Sequence, residues 1–234
     1  MTSPLNSRAH ERIPLSVEVE YRTASSFLVA YSVNLSRGGL FLESSSAPPV
    51  GSALNLELRV PGGEGPIPVR GRVTWTRGKD DPSGPPGFGV AFDEVAPELG
   101  ALIDQLVSQF SGLTVVVLSP NQRDSPAVAR TIRSIINTAE IVTATEAHIA
   151  ESLVGDDVDL LLLMADDDPE AAFWVLENRG PPPRVPAIVL TSDPQIRERA
   201  IAAGADEVAG SPPAFAEFQR QLVRALGRPR GVKL

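Results

Sequence analysis

Phe110-Ser111-Gly112-Leu113-Thr114-Val115-Val116-Val117-Leu118 is where this chain changes its period. Before it, Val95, Leu99, Leu102, Ile103, Leu106, Val107 and Phe110 recur at helical spacing. Ser111-Gly112 ends that pattern, and an unbroken apolar run begins. From there strand-like and helix-like segments alternate. Val115–Leu118, Ile141–Thr143, Leu160–Met164, Ile188–Thr191 and Glu207–Ala209 read as strands. Helical stretches lie near 126–137, 146–153, 169–178, 195–203 and 214–226. The first, third and fourth runs are almost wholly apolar, as strands covered on both faces must be. Residues 113–228 are therefore predicted to form an α/β domain, doubly wound around a five-stranded parallel sheet.

Upstream of the switch the period is two. Leu15, Val17, Val19 and Tyr21 alternate with Ser16, Glu18 and Glu20. Leu54, Leu56, Leu58 and Val60 do the same, as do Val69, Gly71, Val73 and Trp75. Phe27–Val33, Leu40–Leu42 and Phe88–Phe92 read as three further strands. Proline and glycine clusters at 47–51, 61–66 and 80–87 separate them. The expectation for residues 1–110 is a small antiparallel six-stranded β-barrel with a C-terminal helix. Trp75 is expected in the barrel core, with a stacking platform as the alternative. The two-residue join at Ser111-Gly112 predicts domains in contact.

The bulk numbers exclude several classes. A net charge of −8 over 234 residues argues against binding a nucleic-acid polymer, which needs a basic field. Without cysteine there is no disulfide, thiol nucleophile or thiolate metal site. Two histidines, His10 and His148, do not make a zinc centre. No apolar stretch is long enough to span a bilayer, and the first residues have no signal-like core, so a soluble cytoplasmic protein without membrane insertion is expected.

Two short motifs carry chemistry. Arg8 and Arg12 stand four apart in Arg8-Ala9-His10-Glu11-Arg12, ahead of the first strand. Each guanidinium is a rigid fork, suited to two phosphate oxygens or to the O6/N7 edge of guanine. The second motif is Asn34-Leu35-Ser36-Arg37-Gly38-Gly39, a bend rich in hydrogen-bonding groups. Asn34 and Ser36 can accept or donate, and the glycines let backbone approach a ligand closely. Taken singly, each motif is equally compatible with a hairpin turn or a solvated strand start.

Together they resemble the PilZ domain, the bacterial receptor module for cyclic di-GMP. Arg8 and Arg12 match its Arg-x-x-x-Arg motif; Asn34, Ser36 and Gly39 match Asp/Asn-x-Ser-x-x-Gly. Gly71-Arg-Val-Thr-Trp75 and Gly87-Phe-Gly-Val-Ala-Phe92 resemble the family's later strands. The resemblance covers residues 8–110. It implies cyclic di-GMP as ligand and no other cofactor. Arg8 and Arg12 would hold guanine and phosphate, and Asn34 and Ser36 guanine or ribose-phosphate. Gly38 and Gly39 would admit the ligand, and Arg37 would add a phosphate contact.

Residues 113–228 resemble the receiver domains of two-component signalling, with the reactive groups replaced. A receiver carries acids after its first strand, a phosphate-accepting aspartate at the end of its third and a lysine after its fifth. Here those places hold Ser119-Pro120-Asn121, Met164 and Ser211; only Thr191, after the fourth strand, fits. A thioether cannot accept a phosphoryl group. Asp166-Asp167-Asp168 reads as solvation and helix capping in place of a metal site. Asp168-Pro169, Asp193-Pro194 and Ser125-Pro126 each look like a cap followed by proline at the first helical position. Phe173 and Trp174 read as core plus a partly exposed patch. The expectation is a non-enzymatic signalling adaptor, its receiver-like half contacting a protein partner or a second copy. The rival is an interaction scaffold that never meets the nucleotide.

Overall fold

A computed structural model describes residues 15–33, 39–81, 85–94, 97–180, 184–229 and 231–233. The first half comprises β1 (Leu15–Glu20), α1 (Ala24–Val33), β2 (Gly39–Glu43), β3 (Ala53–Arg59), β4 (Ile67–Arg77), β5 (Gly87–Phe92) and α2 (Pro97–Gln109). The second comprises β6 (Thr114–Leu118), α3 (Ser125–Ile135), β7 (Glu140–Ala144), α4 (Ala147–Ser152), β8 (Leu160–Met164) and α5 (Pro169–Asn178). It continues with β9 (Ala187–Leu190), α6 (Pro194–Ala202), β10 (Glu207–Ala209) and α7 (Phe215–Leu226). A last strand, β11 (Gly231–Lys233), returns to the first sheet and pairs antiparallel with β1.

The expected alternation holds in the first sheet: Leu54, Leu56 and Leu58 of β3, and Val69 and Val73 of β4, are buried between exposed neighbours. They meet Phe27 and Ala30 of α1 and Leu99, Leu102, Ile103 and Leu106 of α2 in one core. Among the described residues the sheet is mixed and not the antiparallel six-stranded barrel expected. The strand order is β11-β1-β3-β4-β5-β2, with β1 parallel to β3, and β11 and β2 are the two edges of a curled mixed sheet. Five of its strands come from the first half.

The strand expected at Phe27–Val33 is instead helical, within α1. Phe, Val and Tyr favour strands, and a short apolar run does not distinguish the two states. Local capping and packing decide it. Thr23 Oγ1 accepts from the Ser26 amide at 3.0 Å, and Ser26 Oγ accepts from the Thr23 amide at 3.2 Å. Phe27 and Ala30, one turn apart, enter the first core, while Val29 packs against the second half's core.

The parallel sheet forms as expected, in the order β10-β9-β8-β6-β7. Counted within this half the order is 5-4-3-1-2, that of a flavodoxin-like fold. Leu161, Leu163 and Val189 pack on the side of α4, α5 and α6; Leu160, Leu162, Ile188 and Leu190 pack with α3 and α7. Asp168 caps α5 by accepting from the Ala171 amide at 3.0 Å, and Asp193 caps α6 through Gln195 at 2.7 Å. The cap expected at Ser125 is displaced: Asp124 holds the position, and its carboxylate accepts from Asn121 Nδ2 at 3.0 Å without bonding a helix amide. No helix among the described residues is long and apolar enough to cross a membrane.

Candidate functional site

The outward face of the first sheet carries a flat aromatic shelf, and it originates in two glycines and a bulge. β4 pairs Val73 with Val90 and then Trp75 with Gly89, so its register slips by one residue. The slip reverses the side to which Trp75 points, since successive strand residues face opposite ways. Trp75, expected in the core, is 42% exposed. Phe41 of β2 pairs with Gly89 from the other side. The two rings meet over the glycine strand with centroids 5.2 Å apart and planes within 6°. A Cβ on Gly89 would lie 2.1 Å from Trp75 Nε1, and one on Gly87 would lie 2.7 Å from Phe41 Cζ. The shelf therefore requires both glycines. The Arg77 guanidinium sits 4.9 Å from the Phe41 centroid and 5.2 Å from that of Trp75, a cation–π arrangement.

Opposite the shelf runs α7, from the other half of the chain. Phe218, Leu222, Ala225 and Leu226 bury one of its faces. Arg220, Val223 and Arg224 line a cleft of about 450 Å³ shared with Phe41, Trp75 and Arg77. Glu43 and Arg228 close one end, Arg228 Nε donating to Glu43 Oε1 at 2.8 Å. Arg228 also reaches Asp206 Oδ1 at 3.3 Å and Glu207 Oε1 at 3.5 Å. Burial raises the Glu207 carboxyl above its ordinary value, while Arg228 and Arg224 pull it down.

Among the motif residues singled out from the sequence, the structure places Gly39, the first residue of β2. A Cβ there would fall 2.4 Å from the Val90 carbonyl oxygen, so this strand start needs glycine. Arg8, Arg12, Asn34, Ser36, Arg37 and Gly38 lie outside the described residues. In sequence, Asn34 to Gly38 immediately precede β2, whose outward positions Phe41 and Glu43 line the cleft. Sequence reasoning missed Phe41, Trp75, Arg77, Arg220 and Arg224. The available signals were glycines alternating at 87 and 89 and an arginine pair at i, i+4 on the polar side of an amphipathic helix.

The PilZ domain family model matches residues 6–109. The chain carries a PilZ domain. This is a cyclic di-GMP receptor family of bacterial signalling. Curated proteins give no match. Solved structures similar to part of the chain include a response regulator receiver protein from Burkholderia phymatum. It is 24% identical, covering 50% of this chain and 96% of that one, with a TM-score of 0.43. A putative pilus assembly-related protein from Burkholderia pseudomallei is 18% identical, covering 52% and 97%, with a TM-score of 0.44. A putative response regulator from Chloroflexus aurantiacus is 15% identical, covering 50% and 99%, with a TM-score of 0.45.

Beside the PilZ domain stands the α/β half, and structural bonds join the carboxyl ends of β8 and β9. Met164 ends β8 and is buried. Asp166, two residues on, accepts from Thr191 Oγ1 at 2.7 Å, the Ser192 amide at 2.9 Å and Ser192 Oγ at 3.1 Å. Desolvation raises the Asp166 carboxyl, but the bonds from Thr191, Ser192 and Ser211 outweigh it and leave it below its ordinary value. No group of three metal-ligating side chains occurs among the described residues. The seam between the halves also carries polar bonds. Thr23, the cap of α1, donates from Oγ1 to Asp159 Oδ1 at 2.7 Å, and the Thr114 amide donates to Asp159 Oδ2 at 3.0 Å. Burial pushes Asp159 above its ordinary value, against the opposing pull of Thr23, Thr114 and Arg22.

Proposed function

We propose that the chain is a non-enzymatic cytoplasmic adaptor that binds cyclic di-GMP through its PilZ domain and passes the change through the receiver-like half to a protein partner or a second copy. The observation that carries this reading is the PilZ match over residues 6–109, which holds both ligand motifs in order. Arg8 and Arg12 are assigned to guanine and phosphate, Asn34 and Ser36 to guanine or ribose-phosphate, and Arg37, Gly38 and Gly39 to the closing bend. The outward face of β2, the strand that Gly39 begins, lines an aromatic, arginine-lined cleft, chemistry suited to a purine ring bearing phosphates.

In the receiver-like half, Met164 at the end of β8 supports relay without phosphorylation, because the Asp166 oxygens beyond it are already bonded to Thr191 and Ser192. The relay then works by contact: α1, whose Phe27 and Ala30 sit in the first core, lies against α7.

Calorimetric titration with cyclic di-GMP tests the reading. Wild-type protein should bind saturably, and Arg12→Ala should weaken binding roughly ten- to hundredfold, the worth of one charge-assisted hydrogen bond. Equal affinity in the variant removes Arg12 from the site. No binding by either protein leaves the interaction scaffold as the function.

A further inference from the structure

The two PilZ motifs lie entirely in the first half of the chain, yet one wall of the cleft that β2 and β4 line is α7 of the other half. We propose that Arg220 and Arg224 of α7 contact the phosphates of the bound cyclic dinucleotide, so that the receiver-like half forms part of the ligand site and senses occupancy directly. This rests on the cyclic di-GMP reading above and extends it to residues outside the PilZ domain.

Three observations support it. First, the cleft is basic in an acidic chain: Arg77, Arg220, Arg224 and Arg228 line it against Glu43 alone, in a protein of net charge −8. Arg228 is committed to Glu43, Asp206 and Glu207, whereas Arg220 makes no salt bridge among the described residues. A guanidinium held without a counter-charge over a cavity suits an incoming anion. Second, the geometry fits a flat base with phosphates on one side. The Phe41–Trp75 shelf offers a stacking surface, and α7 presents Arg220 and Arg224 one turn apart across the space. Third, the cleft is lined by the strand that the motif's last residue, Gly39, begins. Gly39 and Phe41 are two residues apart on one face of β2, roughly 7 Å, well within the span of a cyclic dinucleotide.

The test uses the whole chain and cyclic di-GMP itself, with three proteins: wild type, Arg12→Ala, and the double variant Arg220→Ala/Arg224→Ala. Both α7 positions are exposed, so the double variant should unfold at the wild-type denaturant concentration. The expected result is roughly tenfold or greater loss of affinity in the double variant. A double variant that binds like wild type, while Arg12→Ala does not, overturns the inference and leaves the PilZ reading standing. A wild-type protein that does not bind overturns both. Hydrogen exchange across residues 215–226 of the wild type gives a check free of any folding defect. Protection on adding nucleotide is expected, and unchanged exchange overturns the role of α7.

Discussion

β8, at the centre of the parallel sheet, is buried along all five of its residues, whereas β4 in the first sheet buries Val69 and Val73 and leaves Arg70, Arg72 and Thr74 in solvent. In the parallel sheet both faces are filled by helices, so chemistry is confined to strand ends and outer helix surfaces. At the end of β8 stands the thioether of Met164, and Asp166 beyond it braces Thr191 and Ser192. The mixed sheet keeps one face open and places two glycines under two aromatic rings. The parallel sheet is closed on both faces, and the mixed sheet leaves an aromatic, arginine-lined cleft on one of its own.

Substitution breaks or sharpens this contrast. Leu162→Ala, in the fully buried centre of β8, should cost about 2–5 kcal/mol of unfolding free energy, as large-to-small core changes do. Arg72→Ala, on the open face of β4, should stay within about 0.5 kcal/mol. Chemical denaturation of the two variants checks both, and similar costs would erase the distinction between the sheets.

Thr23→Ala removes the cap of α1 and a bond to the buried Asp159 together. It should cost about 1–3 kcal/mol, read from the denaturation midpoint. Gly89→Ala should cost a similar or smaller amount, about 1–3 kcal/mol for overpacking, because the Trp75 ring must move. Its signature is a changed Trp75 emission spectrum in a Trp174→Phe background. An unchanged spectrum would mean the shelf does not depend on the glycine.

The smallest effect concerns pH. Asp159 has its folded-state value raised, so the native protein holds a proton that the unfolded chain has already released. Stability from this group is greatest below the ordinary carboxylate value of about 3.9 and declines as pH rises from there through the folded-state value. Asp159→Asn should flatten that part of the profile. Asp166 runs the other way: its lowered value stabilises above the ordinary range and is lost as pH falls through the folded-state value.

Much of the second half was legible because its signals are redundant. Continuous apolar runs mark the strands, and Asp168-Pro169 and Asp193-Pro194 announce two helices at the residues where they begin. The first half was legible in its alternating strands and less so elsewhere. Phe27–Val33 is built of strand-favouring residues and becomes helical through a cap and two cores. β11 is three residues without a pattern, recruited from the far end of the chain. Trp75 changes sides through a bulge that leaves no mark on the alternation. The motif residues were readable as chemistry, and Gly39 alone among them has a described position. The cleft itself was not readable, because Arg220 and Arg224 look like any polar helix face until α7 is seen against β2 and β4.

Trp75 emission, followed in full-length Trp174→Phe protein as cyclic di-GMP is added, tests the central claim most directly. A saturable spectral change that disappears in Arg12→Ala is the predicted result. An emission spectrum indifferent to the nucleotide, in protein that calorimetry shows to be binding it, would place the ligand away from the aromatic shelf and contradict the account.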